Sequence, residues 1–322
     1  MTMRAIVAER AGDPEVLELR ELPEPAPGPG ELLVRTAATG VNFIETYQRS
    51  GAYRVGFPFT PGAEASGRVI AVGAGVAGFA VGDLITTAEA RATYAEQFVV
   101  GADRAVRVPE GIAADTAAAL PLQGLTAHYL SVSAAQPQPG DTVLVHAGAG
   151  GVGLLLTQLL VRRGVRVLTT ASTPEKRALS RGAGADEVID YGGFAERVRE
   201  LTGGEGVAVV YDGVGKQTFD DSLRSLRVRG ELVLFGAASG PVPPFDLQRL
   251  NAGGSLSVTR PSMGHFLRTP EEREARYRDL FDAIADGSLD VRIGARFPLA
   301  EAADAHTALK SRATTGKVIL EP

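Results

Sequence analysis

The stretch VLVHAGAGGVGLLLTQ, Val143–Gln158, constrains this chain more than any other: four glycines in six residues separate a short apolar run from a helix-like segment. Gly148, Gly150 and Gly153 fit the spacing G-x-G-x-x-G, which is weak alone but specific between a buried strand and a helix. Each glycine has its own reason. The first permits a tight turn, the second lets the backbone approach a pyrophosphate, and the third lets the helix pack closely on the strand. The helix N-terminus then offers free N–H groups, at Gly151 and Val152 among others, and the positive end of its dipole.

The sequence around this turn alternates. TVLVHA, VRVLTTAS, DEVIDY, GVAVVYDGVG, GELVLFGAAS and GSLSVTRP read as strands. GVGLLLTQLLVRRG, ended by Gly164, TPEKRALSRGAGA, FAERVRELTGG and TFDDSLRSLRVRG read as helices between several of them. Such alternation implies right-handed crossovers and an α/β, doubly wound parallel sheet, so a Rossmann domain is expected over residues 122–262. Thr173 suits the cap of the second helix and Pro174 its first position. Residues 1–121 read differently, as short strands such as ELLVRTAATGVN and ASGRVIAVG broken by Gly and Pro. Beyond residue 262 the chain turns helical and polar, then closes with GKVIL, a strand expected to return to the first domain. A length of 322 residues suits two domains. They are expected to be residues 1–121 with 263–322, and 122–262.

Several functions are disfavoured by what the chain lacks. A net charge of −5 supplies no basic stripe for a phosphate backbone, so no nucleic acid partner is expected. There is no cysteine, hence no disulfide, thiolate ligand or Cys nucleophile. The N-terminus does not read as a signal peptide, and VGLLLTQLLV is about half of the roughly 20 residues that span a bilayer. A cytoplasmic protein without a membrane association is the expectation.

The cofactor follows from the end of the second strand. An NAD site usually carries an acid there for the ribose 2′-hydroxyl. This chain has TTAST, Thr169–Thr173, followed by Lys176 and Arg177, and hydroxyls with cations suit a 2′-phosphate. Glu175, in the first helical turn, has a separate reason in the dipole. NADPH is therefore expected. Four scattered histidines, His128, His146, His265 and His306, give no zinc-ligand spacing. Hydride transfer to a conjugated acceptor needs alignment and oxyanion stabilisation rather than a covalent nucleophile. The uncharged donors Asn42 and Tyr47, in GVNFIETYQRSGAY, could provide the latter.

These residues carry a resemblance. GDPEVLELRELPEP, GVNFIETYQRSGAY, PGAEASGRVIAVGAGV, the glycine turn, VVYDGVG, VTRPS and SRATTGKVILEP together resemble the zinc-independent, zeta-crystallin-like quinone oxidoreductases of the medium-chain dehydrogenase/reductase superfamily. The resemblance implies a GroES-like domain built from both chain ends, a Rossmann domain between, a cofactor in the cleft and a homodimer. It places Gly150, Gly151 and Val152 at the pyrophosphate, Ser172, Thr173, Lys176 and Tyr191 at the adenosine phosphate, and Thr126, Phe235, Gly236 and Arg312 elsewhere along the cofactor. Asn42 and Tyr47 would line the nicotinamide and substrate pocket. Zinc-dependent relatives carry Gly-His-Glu near PGAEASG. Here Ala63 replaces the histidine, which leaves Glu64 a structural reading, and Val161 departs from the group's basic or small polar residue. The implied reaction is reduction of a quinone, with an NADPH-dependent enone or alkenal reductase and an NADPH-binding protein of little turnover as alternatives.

Overall fold

The computed structural model describes residues 1–311 and 313–322. In chain order, β1 (Thr2–Ala8), β2 (Leu17–Pro23), β3 (Glu31–Val41), α1 (Phe43–Arg49), β4 (Ala65–Val72), β5 (Leu84–Thr87), β6 (Gln97–Gly101), β7 (Val106–Arg107) and α2 (Ala114–Ala119) precede α3 (Pro121–Tyr129). Then come β8 (Thr142–Val145), α4 (Gly151–Arg162), β9 (Arg166–Thr170), α5 (Pro174–Gly182), β10 (Glu187–Ile189), α6 (Phe194–Leu201), β11 (Val207–Asp212), α7 (Phe219–Ser225), β12 (Leu226–Leu234), α8 (Gln248–Ala252) and β13 (Ser257–Thr259). The chain ends with α9 (Pro270–Ala285), β14 (Ile293–Pro298), α10 (Ala302–Lys310) and β15 (Lys317–Glu321).

Two compact units result. The first is Met1–Gln123 with Thr269–Ala285 and Val291–Pro322; the second is Gly124–Arg268 with Asp286–Asp290. The divisions thus fall after 123 and 268 rather than after 121 and 262. The sequence gives no sign of the return of Asp286–Asp290, which has a local cause. The Gln158 side chain donates to the Asp290 carbonyl (3.1 Å) and accepts from its N–H (2.7 Å), while Arg162 pairs with Asp286 at 3.1 Å. Gln158 and Arg162 lie one turn apart on α4, so a single helix face holds this segment.

In the second unit, six parallel strands run in the order β10-β9-β8-β11-β12-β13. The order reverses between β8 and β11, the switch point at whose carboxyl end ligands bind in such sheets. Leu144, Leu168 and Val210 from the sheet pack with Phe194 and Val198 of α6 and Leu223 of α7. The helix expected over TFDDSLRSLRVRG stops at Ser225, because Leu226 already belongs to β12, a longer strand than the sequence suggests.

The first unit holds a mixed sheet, β14-β15-β3-β4-β5-β7 with β6 also on β3, and a β1-β2 ribbon. The terminal strand does return here: β15 runs antiparallel to β3, pairing Val318 with Val41 and Leu320 with Thr39. On its other side β14, which the sequence pattern does not announce, runs parallel to it. One core gathers Leu32, Val34, Val69, Ile85 and Phe98; another seats α10 through Ala305 and Leu309 beside Ile6, Val41 and Leu320.

Candidate active site

In the second unit the glycine turn joins β8 to α4. Its backbone reversal falls on Ala147, at φ 54°, so the turn's left-handed residue is not a glycine. Gly148 serves another purpose than expected: a Cβ there would lie 2.5 Å from Ser180 Oγ and 2.6 Å from Thr169 Cβ. Its N–H donates to the Thr170 carbonyl at 2.9 Å, tying the turn to β9. Gly153 is the close approach of helix to strand, for a Cβ there would run into the Ala147 carbonyl. Gly150, the N-cap of α4, has φ −76° and ψ 166°, which any residue can adopt. Within 4 Å a Cβ on it would meet Ala147 alone, the carbonyl oxygen at 3.2 Å and the methyl at 3.9 Å. The first-turn N–H groups of Gly151, Val152 and Gly153 have no carbonyl four residues back within the helix. A turn that carries no side chain at Gly150, followed by first-turn N–H donors at a switch point, fits a dinucleotide pyrophosphate.

Beneath the turn lies a directional polar network. The Asp212 carboxylate can only accept, so the Ser222 hydroxyl donates to it at 3.1 Å. His146 Nε2 must then be the donor to Ser222 Oγ, at 3.0 Å. Its Nδ1 accepts from the Thr170 hydroxyl (3.0 Å), whose oxygen accepts the Ala147 N–H (3.2 Å). Burial holds the imidazole pKa down, against the opposing charge of Asp212, so the ring is neutral and in one tautomer. Asp212 also accepts the N–H groups of Val214 (2.8 Å) and Gly215 (2.9 Å). This chain of hydrogen bonds ties together the ends of β8, β9 and β11.

At the carboxyl end of β9, Thr173 caps α5: its oxygen accepts the Lys176 N–H at 3.3 Å. Its hydroxyl also supports Glu175, whose carboxyl is held below the usual range chiefly by its own N–H and then by Thr173. That acid is therefore satisfied within the first helical turn, and Thr173 acts through the cap. Ser172 is exposed and Lys176 half-buried. Arg177 is paired with Asp190, which follows β10. Tyr191 stacks on His146, with ring centroids 6.1 Å apart and planes 16° apart. Past β12, a Cβ on Gly236 would lie 2.5 Å from the Gly213 carbonyl, and the Phe235 N–H donates to the Asp212 carbonyl at 2.9 Å. Thr126 is buried on α3 and engages Tyr129. The turn, Ser172, Lys176, Tyr191, Phe235 and Gly236 thus share the carboxyl ends of one sheet. Arg312 lies outside the described residues.

In the first unit, Asn42 caps α1 and its backbone N–H donates to Glu45 at 2.8 Å, half of a capping box. Tyr47 lies on the same helix, its ring 5.3 Å from that of Tyr53 and 6.3 Å from Phe43. The Asn42 side chain is committed on both sides. Its Nδ2 donates to Glu64 at 2.8 Å and its Oδ1 accepts from Lys317 Nζ at 2.7 Å, while Lys317 and Glu64 are themselves paired. Glu64 also accepts the Leu122 N–H at 2.6 Å. Asn42, Glu64 and Lys317 are 5%, 0% and 1% exposed. Sequence reasoning passes over Lys317 entirely. The available signal is a lysine directly before three apolar strand residues, Val318–Leu320, close in space to a glycine, Gly40, whose Cβ would run into Glu64.

Residues 28–139 match the alcohol dehydrogenase GroES-like domain and residues 151–285 the zinc-binding dehydrogenase family. A quinone oxidoreductase of Pseudomonas aeruginosa is 46% identical over 97% of both chains. The chain belongs to the quinone oxidoreductase, zeta-crystallin-like family of the medium-chain dehydrogenases/reductases. A 2-haloacrylate reductase of a Burkholderia species is 38% identical over 100% of this chain and 99% of its own. Among solved structures, a mycobacterial protein complexed with NADPH is 53% identical, with a TM-score of 0.96 over 99% of this chain and 100% of that one. The quinone oxidoreductase fold accounts for both units, including the β-rich one formed from both chain ends.

Proposed function

We propose that this chain is an NADPH-dependent quinone reductase that works without zinc. The observation that carries the reading is full-length similarity to a quinone oxidoreductase, in a chain whose dinucleotide turn opens beside an acid-free rim at the end of β9. NADPH, when bound, supplies a hydride. Gly151, Val152 and Gly153 receive the pyrophosphate on their N–H groups, and Ser172, Lys176 and Tyr191 hold the 2′-phosphate end. Thr126, Phe235, Gly236 and Arg312 complete the cofactor contacts. Asn42 and Tyr47 donate to the acceptor oxygen as it gains charge, and Tyr47 or water supplies the proton. Ala63, where zinc-dependent relatives carry histidine, and the lack of cysteine support a reaction without zinc.

Purified protein is expected to oxidise NADPH with small quinones. Lys176→Ala is expected to weaken NADPH binding at least tenfold, the size of a lost charged hydrogen bond of about 1.5–3 kcal/mol, with NADH binding unchanged. Equal losses with both cofactors would exclude a 2′-phosphate role. Similarity to the 2-haloacrylate reductase favours a second reading, hydride delivery to the carbon of a conjugated double bond. Turnover of 2-haloacrylates and enones exceeding that of quinones would establish it. Binding of NADPH without oxidation by any of these acceptors would overturn both.

We also propose a homodimer formed through β13, which pairs only with β12 among the described residues and so ends the sheet. Light scattering on the eluted protein tests this, with a monomer mass as the contrary result.

A further inference from the structure

The arrangement around Asn42 contains more charge than a helix cap needs. Three neighbouring strands contribute to it: Asn42 follows β3, Glu64 precedes β4, and Lys317 opens β15. Gly40 keeps the space over the central strand open, since a Cβ there would meet both Glu64 and Lys317. Burying an ion pair removes both charges from water, and an apolar pair of similar volume often serves stability as well or better. Stability alone therefore gives this pair little reason to exist.

Its geometry supplies another. The ammonium faces Asn42 Oδ1 and the carboxylate faces Nδ2. Turning the amide over would set its N–H₂ against the ammonium and its oxygen against the carboxylate, so the two charges allow one orientation. Nδ2 carries two hydrogens, and one goes to Glu64; no other acceptor contacts it among the described residues. We propose that Lys317 and Glu64 are positioning residues, which lock the Asn42 amide so that its second Nδ2 hydrogen is the one offered to the substrate oxygen that gains charge. This rests on the reading of Asn42 as a donor given above.

The test is a kinetic double-mutant cycle on the intact enzyme with NADPH and a small quinone. Asn42→Ala is expected to lower kcat about 10²-fold, the usual loss for one oxyanion donor, with KM for NADPH unchanged. Lys317→Met is expected to lower kcat at least tenfold, also without moving KM for NADPH. In the Asn42→Ala background the same Lys317→Met change is expected to cost nothing further, since the group it positions is gone. Where Lys317→Met alone leaves too little folded protein, the charge-neutral pair Glu64→Gln with Lys317→Met replaces it in the cycle. Losses that multiply across the two sites would overturn the positioning role while leaving Asn42 as donor. A wild-type rate for Asn42→Ala would overturn the donor reading, and the positioning role with it.

Discussion

Glycines of one motif can be told apart by what a single methyl group would strike. Gly150 has ordinary dihedrals and a Cβ there would press on the Ala147 carbonyl oxygen at 3.2 Å, whereas a Cβ on Gly153 would run into that same oxygen. Gly150→Ala is accordingly expected to cost at most about 1 kcal/mol, the difference between Gly and Ala at an N-cap. The same methyl would cover the backbone that the pyrophosphate needs, so NADPH affinity should fall at least tenfold. Gly153→Ala forces α4 away from the turn and should cost about 1–3 kcal/mol or more, as overpacking does, together with the affinity. Denaturant titration and cofactor titration of both variants check this. Normal NADPH binding by Gly150→Ala would remove that residue from the pyrophosphate site.

At the scale of elements, the ends of β8, β9 and β11 are held together by His146, and one hydroxyl decides whether that works. Ser222→Ala leaves the His146 Nε2–H without its acceptor in a buried site. An orphaned buried donor costs about 1–3 kcal/mol, and this loss should appear in the denaturation midpoint of Ser222→Ala; an unchanged midpoint would show that water or another group replaces the hydroxyl. The parts of this region legible in the sequence are the local ones. The strand-turn-helix around Gly148–Gly153 and the Thr173–Pro174 cap are set by neighbours a few residues apart, which a pattern can hold. The reason for Gly148 is not legible, because Thr169 and Ser180 reach it only through β9 and α5. The tie of Asp286–Asp290 to α4 and the pairing of β14 with β15 depend on contacts that no local periodicity records. Asn42 stands out by type in its segment, but its partners Glu64 and Lys317 are 22 and 275 positions away. The site is therefore half legible: its donor is visible and the charges that orient it are not.

For the molecule as a whole, two buried groups of the same unit tilt stability in opposite directions with pH. Burial raises the Glu45 carboxyl from 4.5 to about 8, partly opposed by Lys317. Folded protein then binds a proton that the unfolded chain has released, so stability falls as pH rises from about 4.5 to 8. Burial, reinforced by Arg49, lowers His306 from 6.5 to about 3. Here the unfolded chain binds the extra proton, so stability falls as pH drops from about 6.5 to 3. Each group contributes a slope of about 1.4 kcal/mol per pH unit within its window. Between about pH 4.5 and 6.5 the two slopes cancel, and stability is expected to be flat there. Above it Glu45 acts alone and removes about 2 kcal/mol by pH 8. Below it His306 acts, joined by Asp83, Glu96 and Asp115, whose carboxyls are held low by hydrogen bonds to backbone N–H groups and arginines. Glu45→Gln keeps an acceptor for the Asn42 N–H but does not titrate, so it should abolish the fall between pH 6.5 and 8 and leave the acid side as it was. Urea midpoints measured from pH 3 to 9 on both proteins decide the matter. If Glu45→Gln loses stability above pH 6.5 as steeply as the parent, the alkaline slope comes from another group and Glu45 is ionised in the folded state.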